Sequence, residues 1–265
     1  MITPILMLGA GRMGGAILAG WRRAQAFDAA DLMIREPHAT GPALEAVQAG
    51  AQLNPPEAEL ARAKTVVLSV KPQLWREVAA ETAAWLAADA VIISVAAGAK
   101  SADISKAFGG RCVARVIPTT AAAICQGTAS LYADDPAALA RAHALFEPLG
   151  TVVDLTEETQ MHAATAVSGS APAYLYAFIE ALEAAGVSAG LPARESARLA
   201  RATVTGAAAL LQETGADLTD LRRQVTSPGG TTEAALNVLL SDTGLPPLLR
   251  EAVSRAMRRS KELGG

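Results

Sequence analysis

The sequence predicts two architectures in succession: an α/β half built on a parallel sheet, then an all-α half. Three observations carry this. Short, continuous, β-branched apolar runs alternate with helical stretches to about residue 155. A glycine-rich turn joins the first run to the first helix. From Thr156 onward only helical periodicity is found. No low-complexity linker separates the halves, so the expected domains are 1–156 and 157–265. A chain of 265 residues can build two ordinary cores without disulfides or a structural metal.

The expected strands are 5–8, 32–34, 65–70, 91–95 and 113–117, each apolar throughout as a strand covered on both faces should be. Shorter late strands at 130–132 and 152–155 bracket a helix over 136–149. Between strands, 73–86 reads as an amphipathic helix with Leu74, Val78, Trp85 and Leu86 inward. In the second half Leu175, Phe178, Ile179 and Leu182 fall on one helical face. A helix over 192–213 starts at Pro192 and stops at Gly215, and shorter ones follow at 217–225, 231–240 and 247–263.

Composition narrows the function classes. With 23 basic and 26 acidic residues the net charge is −3, which gives no reason to expect nucleic acid or an anionic membrane as partner. Two cysteines, Cys112 and Cys125, with no Cys-x-x-Cys and no Cys/His cluster, point to a reduced, cytoplasmic protein without a metal. The N-terminus has neither a basic leader nor a cleavage site, so no signal peptide is expected. The stretch 161–179 lacks Asp, Glu, Lys and Arg, but His162, Ser168-Gly169-Ser170 and Pro172 interrupt it. It is read as a buried helix and not a membrane span.

Gly9-Ala10-Gly11-Arg12-Met13-Gly14 follows the first strand and opens a helix. In that context the first glycine makes the tight turn and the second admits a pyrophosphate to the backbone. The third lets helix and strand pack closely, with the anion at the helix N-terminus. This makes the first domain Rossmann-type. At the end of the second strand stand Arg35 and Glu36: an acid there takes the ribose hydroxyls, whereas a nearby Arg holds a 2′-phosphate. Strand alternation turns Arg35 away from the face Glu36 lines, so NADH is favoured over NADPH. Ser69-Val70-Lys71-Pro72-Gln73 falls at the end of the third apolar run, where ligands gather in open α/β sheets, and its Val70-Lys71-Pro72-Gln73 is among the motifs compared below. Ser227-Pro228-Gly229-Gly230-Thr231-Thr232 precedes a helix with Glu233 in its first turn. It reads either as an anion-binding nest or as a plain cap in which Thr231 or Thr232 bonds its own helix.

With these motifs, and with Ser94-Val95-Ala96-Ala97-Gly98, Val167-Ser168-Gly169-Ser170-Ala171-Pro172-Ala173-Tyr174 and Gly190-Leu191-Pro192, the chain resembles pyrroline-5-carboxylate reductases over almost its whole length. The resemblance implies reduction of 1-pyrroline-5-carboxylate to proline with NADH or NADPH, and a helical half that interlocks into a homodimer or larger assembly. It implies cofactor contacts at Gly9, Gly11, Arg12, Met13, Gly14, Glu36, Asn54, Val70, Lys71, Pro72 and Ala97, with Asn54 against the adenosine. It places the substrate carboxylate on Gly229, Gly230, Thr231 and Thr232, and makes Thr232 the catalytic contact to the ring nitrogen. Two departures stand out: Ile117-Pro118-Thr119-Thr120-Ala121 where the family has Met-Pro-Asn-Thr-Pro, and Ala171 where a glycine is frequent.

Hydride addition to an imine protonated from water needs little beyond orientation. His38, His143 and His162 sit in no motif and are expected to be structural or solvated. One rival, a β-hydroxyacid dehydrogenase, uses a lysine from the helical half, and no lysine lies between residues 107 and 260. The other rival is a non-catalytic dinucleotide sensor, suggested by the Thr119-Thr120-Ala121 departure.

Overall fold

The computed structural model describes residues 2–264. They form two compact units: one runs to Gly169 and takes in the last helix from Ala256, the other is Ser170–Arg255.

The first unit is built on eight strands: β1 (Ile5–Leu8), β2 (Leu32–Arg35), β3 (Gln52–Leu53), β4 (Thr65–Leu68), β5 (Val91–Ser94), β6 (Val113–Pro118), β7 (Gly127–Tyr132) and β8 (Gly150–Asp154). They lie in the order β3-β2-β1-β4-β5-β6-β7-β8. Helices α1 (Arg12–Ala24), α2 (Pro42–Gln48), α3 (Trp75–Thr82), α4 (Ser101–Ala107) and α5 (Pro136–Phe146) connect them. The apolar runs are continuous because each face of the sheet has its own core. Ile5, Met7, Ile34, Val67 and Ile93 pack with Ile17 and Trp21 of α1 and Leu145 of α5. Leu6, Leu8, Val66, Leu68 and Ile92 point the other way, toward Trp75 and Phe108. Trp21 is locked by an indole N–H donated to the Leu145 carbonyl at 2.7 Å and an edge contact with Phe27.

The first unit departs from expectation in three ways. β7 runs antiparallel to β6. Only residues 119–126 join the two, too few for the crossover a parallel pair needs. β3 was not anticipated; two residues carry no readable period. The helix expected over 73–86 ends at Thr82, whose hydroxyl donates to the Val78 carbonyl at 2.6 Å, and a 3-10 turn follows. Leu74, which only caps the helix start, and Trp85, in the 3-10 turn, were expected inward but are 44% and 47% exposed.

His143 on α5 joins the helix to the last strand, with Nδ1 2.8 Å from Glu147 Oε1 and Nε2 2.8 Å from Asp154 Oδ1. Partial burial opposes its charged form, but the two carboxylates outweigh burial and raise its pKa. A raised folded pKa stabilises the protein fully below the unfolded value and loses that contribution as pH rises through the folded value. His143→Gln is therefore expected to cost up to about 1 kcal/mol at acidic pH. The cost should shrink above the folded pKa, as denaturant melts across pH would record; a pH-independent cost would show that the ion pairs contribute nothing.

At the end of the first unit's main segment the backbone runs through α6 (Met161–Ala164) and a π-turn (Thr165–Gly169). The Thr165 and Ser168 hydroxyls bond back to the Met161 and Ala164 carbonyls at 2.7 and 2.9 Å. The stretch 161–179 is thus not one buried helix. Among the described residues no helix is long and apolar enough to cross a membrane.

The second unit holds α7 (Ala171–Ser188), α8 (Ala193–Thr214), α9 (Leu218–Gln224), α10 (Thr231–Leu239) and the first part of α11 (Leu245–Gly264). α8 ends as expected on left-handed Gly215, at φ 59°. The small-residue contact between α7 and α8 is tight: a Cβ on Gly186 would lie 2.1 Å from Ser196 Oγ, which donates to the Glu183 carbonyl. Contrary to expectation, α7 has no buried residue within one chain, and Leu175, Tyr176, Phe178 and Leu182 are exposed. Its apolar face is one that a single copy does not cover.

Candidate functional site

The sheet order reverses beside β1: β2 lies on one side and β4 on the other. The crevice at the carboxyl ends of these strands is where open α/β sheets bind ligands. The first half of the sequence-predicted site meets here. Gly9 follows β1 at φ 88°, and a Cβ on it would lie 2.8 Å from the Ser69 carbonyl oxygen and from Val70 Cγ1. A Cβ on Gly14 would lie 2.5 Å from the Gly9 carbonyl oxygen. The chain therefore accepts only glycine at both places. At Gly11 the space is open: an added Cβ would meet nothing within 4 Å. Gly11 caps α1 with no side-chain bond, and the first turn of α1, with Arg12 and Met13, has no acid. Free amides and the positive helix end face that space.

Ser69, which heads the 69–73 motif, has a polar atom whose state only the structure shows. Ser69 Oγ is buried without a hydrogen-bond partner, about 3.0 Å from where a Gly14 Cβ would sit. The motif marks the residue but not the unpaired state of its hydroxyl. The open cradle, the uncapped helix and the orphaned hydroxyl fit the pyrophosphate of a dinucleotide.

Glu36 stands at the rim. Its Oε2 accepts the Ala10 N–H at 2.8 Å, and its Oε1 accepts the His38 N–H at 3.0 Å. Arg35 is turned to Glu57, with Nη2 3.2 Å from Oε1. A backbone hydrogen bond, then the hydrogen bond and charge of the Arg35 guanidinium, depress the Glu57 pKa. Asn54, just past β3, spends its side-chain amide on the backbone of Glu36. Farther along the same sheet edge, exposed Lys71 follows β4. Pro72 and Ala97 line one cavity of about 280 Å³ together with Trp75 and Arg76, whose guanidinium stacks 4.3 Å above the Trp75 ring.

The remaining predicted residues belong to the second unit. Gly229 turns the chain at φ 69° and donates its N–H to Glu233 Oε2 at 2.7 Å; Gly230 donates to the Ser227 carbonyl at 3.0 Å. The Glu233 bond is a near relative of the capping box, and glutamate at the third helical position was its signal. α10 has no side-chain cap. Neither the Thr231 nor the Thr232 hydroxyl bonds another group among the described residues, so the plain-cap alternative does not hold. The amides of Thr231 and Thr232 are left as orphan donors of the first turn.

Thr119, the departure from Met-Pro-Asn-Thr-Pro, is buried and inward-bonded. Its N–H donates to the Thr128 carbonyl and its Oγ1 accepts the Thr128 N–H, both at 3.0 Å. The threonine prolongs the β6–β7 ladder just past Pro118, which has no N–H to give. His162 Nδ1 is 3.0 Å from Ser260 Oγ, and burial, then Arg115 and Lys261, lower its pKa. Together with His143 it has a structural partner, as expected. Among the described residues no group of three His, Cys, Asp or Glu side chains could hold a metal ion.

Comparison with known proteins gives two family models. Residues 158–263 match a family model described as pyrroline-5-carboxylate reductase dimerisation. Residues 4–98 match one described as NADP oxidoreductase coenzyme F420-dependent. The chain is 37% identical to the pyrroline-5-carboxylate reductase of Pseudomonas aeruginosa, over 99% of its own length and 98% of the relative's. It is also 37% identical to that of Synechocystis, over 100% and 99%. A solved pyrroline-5-carboxylate reductase from Coxiella burnetii superposes with a TM-score of 0.90 at 30% identity, covering all of both chains. One from Plasmodium falciparum, solved with NADP bound, shares the fold at a TM-score of 0.84 and 24% identity, over 99% of this chain and 98% of that one. With relatives this similar along its entire length, the chain belongs to the pyrroline-5-carboxylate reductase family.

Proposed function

We propose that this protein reduces 1-pyrroline-5-carboxylate to proline, using a dinucleotide held on the glycine loop. The observation that carries the reading is the pair of open, donor-rich helix starts: α1 behind Gly11, and α10 with two unpartnered threonine hydroxyls. Residues 1–156 take the role of dinucleotide domain and 157–265 that of substrate and dimerisation domain, in a reducing cytoplasm. Gly9, Gly11, Arg12, Met13, Gly14, Glu36, Asn54, Val70, Lys71, Pro72 and Ala97 form the cofactor side. Gly229, Gly230, Thr231 and Thr232 form the substrate side.

When bound, a reduced nicotinamide supplies a hydride. The chain's own residues bind and orient. Amides of the first turn of α10 receive the substrate carboxylate, and Thr232 holds the ring nitrogen through its hydroxyl. The imine takes a proton from water at nitrogen and the hydride at the imine carbon (C2 of the pyrroline ring, C5 of proline), which balances to the secondary amine. The carboxylate requirement gives a direct test: cofactor oxidation should be fast with 1-pyrroline-5-carboxylate and at least tenfold slower in kcat/KM with unsubstituted 1-pyrroline. Binding of dinucleotide with no turnover of either imine would favour the sensor.

Glu36 supports NADH as the preferred cofactor. A 2′-phosphate about 4 Å from its carboxylate is repelled by roughly 1 kcal/mol in water and several in a partly enclosed site. Arg35, paired with Glu57, does not offset this. The expected kcat/KM favours NADH by about tenfold, and Glu36→Ser moves the ratio toward NADPH by a similar factor. A parent that prefers NADPH would remove Glu36 from this role.

The uncovered apolar face of α7 supports a homodimer or higher assembly built by the helical half. Light scattering at micromolar concentration should give at least twice the chain mass of 27.1 kDa. A folded, active monomer would contradict it.

A further inference from the structure

We infer that Asn54 is a specificity-determining residue that acts through Glu36, holding the carboxylate over the glycine loop so that a 2′-phosphorylated dinucleotide is disfavoured. This rests on the reading of Glu36 as the group that meets the adenosine ribose. Asn54 is in this account a positioning residue, with no need to touch the nucleotide.

Asn54 grips Glu36 from the neighbouring strand end with two bonds. Oδ1 accepts the Glu36 N–H at 2.9 Å, and Nδ2 donates to the Glu36 carbonyl at 3.1 Å. Its own N–H donates to the Ile34 carbonyl at 2.7 Å, which anchors the clamp to β2. Asn54 pays for this geometry with a left-handed backbone, φ 47°, a conformation that Asn tolerates better than most side chains. Such an outlier at the rim of a ligand crevice points to a function and not to packing, because Asn54 is exposed and supports no core.

The clamp completes a set. Both backbone groups of Glu36 bond to Asn54, one carboxylate oxygen bonds to Ala10 N and the other to His38 N. A carboxylate accepts about four hydrogen bonds, so acceptor capacity remains for the two ribose hydroxyls. A surface glutamate free to swing would move away from an arriving phosphate and lose little. One fixed at both ends stays and repels it. Release from the clamp should therefore ease binding of the phosphorylated ligand more than it harms binding of the plain one.

The test measures binding alone. ADP-ribose and its 2′-phosphorylated form are titrated into the full chain by calorimetry, and the ratio of their Kd values is read. Asn54→Gly deletes the clamp while suiting the left-handed backbone. Asn54→Asp keeps the acceptor but sets an oxygen against the Glu36 carbonyl. Each is expected to narrow the parent's preference for ADP-ribose by about threefold to tenfold, the weight of one or two hydrogen bonds, with melting temperature unchanged within about 2 °C. Glu36→Ala should remove the preference, and adding Asn54→Gly to it should change the ratio no further. Equal weakening of both ligands by Asn54→Gly, or a further change of ratio in the Glu36→Ala background, overturns the inference. If Glu36→Ala itself leaves the ratio intact, the Glu36 reading fails and the clamp's role in selectivity fails with it.

Discussion

Gly14→Ala is expected to weaken dinucleotide binding by at least a hundredfold and to destabilise the first unit by about 1–3 kcal/mol. The added methyl would stand 2.5 Å from the Gly9 carbonyl oxygen, which is backbone and does not rotate aside. Either α1 lifts from β1 or the glycine turn opens. The first strains Ile17, Leu18 and Trp21 in the core; the second moves the first-turn amides proposed to receive the pyrophosphate. Gly11→Ala separates the two effects. Its methyl meets nothing within 4 Å, so stability should hold while the space left for the anion is filled. Calorimetric titration with ADP-ribose, alongside thermal melts, reads both. Full binding by Gly14→Ala would mean that this loop is only a structural turn.

Thr232→Ala is expected to lower kcat/KM by about tenfold to a hundredfold, for one hydrogen bond to the ring nitrogen. The melting temperature should not move, since the hydroxyl has no partner within the described structure to lose. Thr232→Ser, which keeps the hydroxyl, should recover most of the rate. A variant of unchanged kcat/KM would place the substrate elsewhere.

The legible parts of this fold are those whose physics is local. A strand buried on both faces must be apolar at every position, so 5–8 and 91–95 announce themselves, as does a turn that only glycine can make. Pro192 and Gly215 bracket α8 for equally local reasons: a fixed φ at the start and a left-handed residue at the end. The direction of β7 is not local. It depends on how few residues return the chain, and Gly127–Tyr132 would read the same parallel or antiparallel. The exposed face of α7 misleads for a related reason: apolar periodicity says that a face is covered, not by which molecule. At the site the motifs were legible and their wiring was not. Asn54 and Glu36 are eighteen residues apart in loops with no period, and Ser69 Oγ becomes conspicuous only when every neighbour is placed.

The most direct measurement of the account is where the hydride goes. The protein is given 1-pyrroline-5-carboxylate and a reduced nicotinamide dinucleotide carrying deuterium at the transferable position, and the product is examined by mass spectrometry and proton NMR. Proline with one deuterium at C5, formed mole for mole with oxidised cofactor, is the expected product. Cofactor that binds and stays reduced, or proline that carries no deuterium, would contradict the proposed reduction.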